Sequence, residues 1–134
     1  MSPMRSRLIA LLPLSVALYG CSYHYDLRAV FQDGRVTVVP KNDKGTGCLW
    51  MFTVTSDQGR VVWDVDGGAY SPPPCDDKFP ITYGQVPSGM KERVRAQPLQ
   101  PGVTYRIEAS DGDSYSGSFR LRRVLVIDEV SEQR

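Results

Sequence analysis

The sequence has few of the residues on which most catalytic and metal sites depend. Its 134 residues include one histidine, His24, and three cysteines, Cys21, Cys48 and Cys75. It has no Cys-x-x-Cys motif, no glycine-rich phosphate loop and no EF-hand order of acidic residues. Ser-His-Asp and Cys-His arrangements would both have to use His24. We therefore predict a protein that is not an enzyme and that has no cofactor and no metal site.

An excess of charge of one sign is also missing. The chain carries 16 basic and 15 acidic residues, for a formal net charge of +1. A domain that binds nucleic acid needs a concentrated basic surface, whereas the two signs are interspersed here. The short run Lys91, Arg93 and Arg95 fits either a local basic stripe or, more simply, the solvated face of a strand. We expect no nucleic-acid partner.

No apolar stretch is long enough to cross a bilayer as a helix. The stretch at residues 8–18 is interrupted by Pro13, and a spanning helix needs about 20 apolar residues. Arg5 and Arg7 precede this stretch, and Gly20 follows it closely. A positive start, a short apolar segment and then a small residue are typical of a cleavable signal peptide.

The apolar stretch ends at Leu18. The segment Leu18-Tyr19-Gly20-Cys21 resembles the lipobox of bacterial lipoproteins. In that family the leader is cut off before the cysteine, whose sulfur carries a diacylglycerol, and the new amino terminus is acylated. The resemblance implies a signal peptide over residues 1–20, a lipid on Cys21, and a short spacer that ends at residue 26. Ser22, in place of an aspartate, implies sorting to the outer membrane, with the domain facing the periplasm. The first partner is then the membrane, held through acyl chains.

Two other interpretations of this segment stay open. Tyr19 stands where the lipobox prefers a small residue. An ordinary secretory leader would end at Ala17, after Ser15-Val16, although that site lies inside the apolar stretch. The other open interpretation is that this segment stays on the protein as a short anchor that is not cleaved.

Export also accounts for the remaining cysteines. If Cys21 carries lipid, the odd total of three leaves the pair Cys48 and Cys75. An exported protein meets an oxidising environment, so we predict a disulfide between them.

From residue 27 onward, apolar and polar residues alternate with a period of two, which is typical of β-strands. The segments Gln32-Asp33-Gly34 and Ser56-Asp57-Gln58-Gly59 suit hairpin turns. About eight short strands separated by turns indicate a single β-sandwich or small-barrel domain over residues 27–130. The predicted strands are, in order, 27–31, 35–39, 49–55, 60–65, 79–83, 92–97, 103–109 and 115–127.

One motif favours the sandwich. Leu99-Gln100-Pro101-Gly102-Val103-Thr104-Tyr105 resembles the Leu-x-Pro-Gly-x-x-Tyr segment before the penultimate strand of fibronectin type III and immunoglobulin-like domains. The resemblance implies an antiparallel β-sandwich of seven to eight strands, with the hydroxyl of Tyr105 bonded to upstream backbone as a tyrosine corner and Leu99 beneath it.

The function is predicted mainly by default. A tethered sandwich without catalytic groups is expected to bind another envelope protein or a cell-wall component through its loops or an exposed edge strand. The loop at residues 71–78, with Pro72, Pro73 and Pro74 next to Tyr70, is either such a contact surface or a rigid disulfide-pinned connection. Aspartates at Asp111 and elsewhere fit turns better than a Ca²⁺ loop. The alternative function is a hydrolase of the cell envelope that acts on a wall or glycan substrate through two carboxylates.

Overall fold

The computed structural model describes residues 23–67 and 75–122, which form eight strands and no helix. The predicted all-β fold is confirmed. Cys21, the leader and the three consecutive prolines lie outside the described residues. Within the described ranges there is no helix of the length and apolarity that a membrane span requires. The strands are β1 (His24–Gln32), β2 (Arg35–Pro40), β3 (Met51–Ser56), β4 (Val61–Asp66), β5 (Ile81–Thr82), β6 (Lys91–Val94), β7 (Thr104–Ser110) and β8 (Ser114–Arg120).

The eight strands form one sheet in the order β5-β2-β1-β8-β7-β3-β4-β6. Strand β1 joins its two halves, because its first three residues pair with β8 and the residues from Leu27 onward pair with β2. In the strand order, β2 and β5 thus lie on one side of β1, and β8, β7 and β3 lie on the other side, as in immunoglobulin-like sandwiches. The pairing of β1 with β8 is parallel, so the sheet is mixed and not purely antiparallel as expected.

The core lies between the two halves of the sheet. Trp63 on β4 packs edge-to-face on Tyr83, just after β5, with ring centroids 5.3 Å apart. Phe79 and Tyr115 make a second contact between the halves at 5.4 Å. Since β4 and β5 are far apart in the strand order, these contacts close the sheet over the core. The largest fully buried side chains are Trp63, Tyr115, Phe52, Ile81, Ile107, Val38, Val54 and Val65.

Both predicted hairpin turns are present. Asp33 and Gly34 connect β1 to β2 with φ angles of 52° and 74°, and two positive φ values are what a type I′ turn needs. Between β3 and β4, the N–H of Ser56 donates to the Arg60 carbonyl at 2.8 Å. These short-range turns fix the registers of the hairpins.

Strand boundaries differ from the prediction where pairing is long-range. Strand β1 begins at His24 and not at residue 27, because His24, Tyr25 and Asp26 pair with residues of β8 about 90 positions later. Strand β5 is reduced to Ile81–Thr82, which pairs only with β2. Three residues of the expected spacer, His24, Tyr25 and Asp26, thus belong to the sheet, while Cys21 and Ser22 lie outside the described residues.

Candidate functional site

A groove opens where β1 diverges from β8. It encloses about 1120 Å³ and has a mixed polar and apolar surface. Its walls come from the middle of β1, the end of β2, the β3–β4 turn and the outward faces of β7 and β8. It is lined by Asp26, Leu27, Arg28, Lys41, Asn42, Thr55, Ser56, Asp57, Gly59, Thr104, Arg106, Ser116, Gly117 and Ser118.

Gly117 allows the two strands to approach at the point of divergence. A Cβ atom on this residue would lie 2.3 Å from the Leu27 carbonyl oxygen, which is closer than any real Cβ contact. The obstacle is backbone and cannot rotate away. The floor of the groove therefore requires a residue without a side chain at this position.

The backbone groups of β8 face its two neighbours alternately, as in any strand. On the β1 side, the N–H of Ser114 donates to the Tyr23 carbonyl at 3.0 Å. On the β7 side, the Leu121 carbonyl accepts from the N–H of Gly102 at 2.7 Å. The pairing of β8 with β7 has no register shift. The even-numbered residues of β8 therefore direct their backbone groups towards β1.

Strand β1 covers this edge of β8 only in part. Its parallel pairing ends at Ser116, after which β1 turns to β2. The backbone N–H and C=O groups of Ser118 and Arg120 face the same edge, and no described strand lies beside them. An uncovered strand edge can accept an extended peptide as an additional strand. Ser118 itself lines the groove.

The charged side chains of the groove are unequally compensated. Arg106 pairs with Glu108 at 3.0 Å, and Asp57 accepts a hydrogen bond from the N–H of Thr104 at 3.2 Å. Arg28 and Lys41 are exposed, and neither forms an ion pair with any residue of the described part. The groove is also lined by Asp26, whose one ion-pair contact among the described residues is His24 at 3.6 Å. Its basic side chains thus outnumber its acidic ones by three to two, and it also presents hydroxyl groups of serine and threonine.

His24 lies on the surface of the sheet between two serine hydroxyls and a carboxylate. Its Nδ1 is 3.1 Å from the Ser114 hydroxyl and its Nε2 is 3.0 Å from the Ser116 hydroxyl. Asp26 lies 3.6 Å from Nε2 as well. In a Ser-His-Asp triad the carboxylate orients one ring nitrogen while the other activates the serine. Here Asp26 and Ser116 approach Nε2 and Ser114 approaches Nδ1, and the imidazole is 53% exposed, whereas a triad histidine usually lies in an enclosed site.

Cys48 and Cys75 form a disulfide with their Cα atoms 5.6 Å apart. Nearby, the N–H of Lys78 donates to the Gly47 carbonyl at 2.9 Å. At the other end of the proline loop, the N–H of Gly67 donates to the Trp50 carbonyl at 2.7 Å. The loop is thus fixed at both ends beside residues 47–50, while residues 68–74 lie outside the described ranges.

Asp111 is committed to structural hydrogen bonds. Its Oδ2 accepts from the hydroxyls of Tyr115 at 2.8 Å and Thr46 at 3.1 Å. Burial, and then the neighbouring Asp111, raise the pKa of Tyr115 well above its usual value. In the described ranges, no three acidic, histidine or cysteine side chains are arranged to hold a metal ion.

Tyr105 has the surroundings that the motif predicts. Its side chain is 2% exposed, and its hydroxyl accepts a hydrogen bond from the N–H of Gln100 at 2.7 Å. Leu99 packs against the core, and Gly102 after Pro101 has a φ of 81°. Leu99, Pro101 and Gly102 belong to the connection between β6 and β7, and neither they nor Tyr105 line the groove.

The sequence did not point to the groove, because most of its residues are ordinary serine, threonine and charged residues on five separate segments. The only signal was the glycine in Ser116-Gly117-Ser118, a residue that is unusual in a strand interior and often marks close approach of another backbone. The chain matches no known protein family, and neither a curated protein nor a solved structure matches it.

Proposed function

We propose that this chain is the precursor of a bacterial lipoprotein whose β-sandwich domain binds an extended acidic peptide segment of another envelope protein. The leader and the lipobox-like sequence before Cys21 support the anchor and the location in the envelope. The observation that carries the binding role is the uncovered edge of β8 at Ser118, which lies in a groove beside Arg28 and Lys41.

The chemistry of the groove favours this ligand over the alternatives. An added strand gains main-chain hydrogen bonds from the free backbone groups of β8. Arg28 and Lys41 attract acidic side chains and repel basic ones, which adds selectivity. The alternative, a hydrolase, would have to use His24 for any catalysis by histidine, and this side chain is exposed and lies within hydrogen-bond distance of the Ser114 and Ser116 hydroxyls.

A photo-crosslinking residue in place of Asn42, which lines the groove, tests the groove in intact cell envelopes. We expect a crosslink to a protein, with the attached peptide rich in Asp and Glu. Crosslinks to wall glycan alone would show that the ligand is a cell-wall component and not a peptide. A yield no higher than that of the same residue placed at Arg35, outside the groove, would contradict the binding role of the groove.

Two matched pairs of variants separate charge from strand addition. The double variant Arg28→Glu and Lys41→Glu is expected to lose at least tenfold in crosslink yield, whereas Arg35→Glu with Arg60→Glu makes the same charge change outside the groove and is expected to retain it. Ser118→Pro removes an N–H that β7 does not use, so the fold is expected to persist while binding is lost. Ser118→Ala keeps that N–H and should bind normally. Equal yields within either pair would contradict the proposal.

Labelled palmitate tests the anchor separately. We expect label on the wild-type protein and none on Cys21→Ser. Label retained on the variant would contradict lipidation at Cys21.

A further inference from the structure

The folded domain begins almost immediately after the proposed anchor. Tyr23 is held on both sides: its N–H donates to Oδ1 of Asp113 at 3.0 Å, and its carbonyl accepts from the N–H of Ser114 at 3.0 Å. Only two residue steps separate Cys21 from Tyr23. An extended chain covers at most ~3.6 Å per residue, so this tether reaches no more than ~7 Å. The anchor therefore leaves the domain next to the β7–β8 turn.

Strand directions define which other segments lie at that end. Strand β8 runs parallel to β1 and therefore starts there, while β7 ends there. Strand β3 is antiparallel to β7 and β2 is antiparallel to β1, so the connection between β2 and β3 lies at the same end. The turns at Asp33-Gly34 and Asp57-Gln58 lie at the opposite end. The nine residues of β1 separate the two ends by ~30 Å, at ~3.3 Å per residue.

We propose that the end formed by Tyr23, residues 41–46 and residues 110–114 lies against the headgroup layer of the membrane, which holds the domain in one orientation. This inference rests on the proposed lipidation of Cys21. Tyr23 is 65% exposed, and tyrosine is favoured at the interface between membrane and water. A tether of ~7 Å leaves too little slack for the domain to turn over, since that would require the anchor to cover ~30 Å.

The orientation has a consequence for the groove. Lys41 and Asn42 are on its membrane-proximal side, and Asp57 and Gly59 are on its distal side. The groove thus runs outward along the side of the domain, and the membrane does not cover it. A peptide added to β8 would lie roughly along the membrane normal.

Paramagnetic relaxation tests the orientation. The lipidated protein, purified from membranes and verified by intact mass, is placed in phosphatidylcholine nanodiscs with a fraction of gadolinium-chelating headgroups. We expect the amide of Gly112 to relax at least tenfold faster than that of Gly34. A flexible Gly-Ser linker of about ten residues after Ser22 lengthens the tether to roughly 20 Å or more, and it should largely remove this difference.

Equal relaxation of Gly112 and Gly34 in the lipidated wild-type protein would overturn the orientation and leave the anchor intact. A difference that persists unchanged with the linker would also overturn it, because the tether would then not be its cause. An unmodified Cys21 in the intact mass would overturn the proposed anchor and this inference together.

Discussion

The backbone N–H of Gln100 donates a hydrogen bond to the hydroxyl of Tyr105, five residues later, at 2.7 Å. This bond fixes the connection into β7, the strand that pairs with both β3 and β8. The bond is part-buried, so loss of the hydroxyl would leave the Gln100 N–H without its partner.

Tyr105→Phe is expected to lower the free energy of unfolding by about 1–2 kcal/mol, since a part-buried donor would lose its acceptor. Chemical denaturation measures the change. Tyr23→Phe is the control, because the Tyr23 side chain is 65% exposed, and it should change stability by less than about 0.5 kcal/mol. Equal stability of the Tyr105 variant and the wild type would contradict the role of this hydroxyl.

Gly117→Ala is expected to destabilise the domain by about 1–3 kcal/mol, because the new methyl group would press on backbone. The Cβ would be 2.3 Å from the Leu27 carbonyl oxygen. The parallel pairing of β1 with β8 should weaken first, seen as faster hydrogen exchange at Ser116, whose backbone faces β1. Ser118→Ala on the same strand serves as the control, and similar exchange rates in both variants would argue against this close approach.

Loss of the disulfide is expected to reduce stability by roughly 3–4 kcal/mol, which is the chain-entropy estimate for a loop of this length. The variant Cys48→Ser with Cys75→Ser is compared with the wild type by thermal unfolding, both with and without reductant. Reductant should lower the melting temperature of the wild type only. Reactive thiols on both Cys48 and Cys75 in the denatured, unreduced wild type would exclude the disulfide.

Stability is expected to fall as the pH rises above about 10, the ordinary pKa of tyrosine. Burial, and then the neighbouring Tyr105, raise the pKa of Tyr83 to about 12. Above pH 10 the unfolded chain loses this proton while the folded chain keeps it, so ionisation favours unfolding. The contribution is complete below pH 10 and is lost as the pH rises towards 12.

Denaturation midpoints of the wild type and of Tyr83→Phe, measured between about pH 8 and pH 11, check this prediction, because that range brackets the ordinary tyrosine pKa of about 10. The variant should be less stable at neutral pH, because the hydroxyl of Tyr83 donates to the Gln97 carbonyl at 2.6 Å. Its stability should fall less steeply with pH than that of the wild type. An identical slope would show that Tyr83 does not keep its proton in the folded state.

Local features of the fold were predictable from the sequence. Asp33-Gly34 determines a tight reversal, because few residue pairs accept two positive φ values, and the alternation of Tyr105, Ile107 and Ala109 with polar residues determines which face of β7 is buried. The motif at Leu99 and Pro101 likewise led to the position of Tyr105. In each case the signal and the structure lie within a few residues of one another.

The candidate groove was beyond such reasoning. It depends on Leu27 meeting Gly117 and on the strand edge at Ser118, and nothing in the sequence near residue 27 indicates which strand it meets. For the same reason His24 was expected in a spacer and instead pairs with Ser114.

By itself, the sequence determined that the domain is built from strands with polar turns, because period-two alternation and turn residues act within one hairpin. Only the tertiary structure decided that β1 divides its pairing between β8 and β2, that no other described strand covers β8 at Ser118, and that Tyr23 is bonded to the β7–β8 turn. Those features arise from contacts between segments about 90 residues apart. Such contacts are selected by how the whole core packs and not by any local preference of the chain.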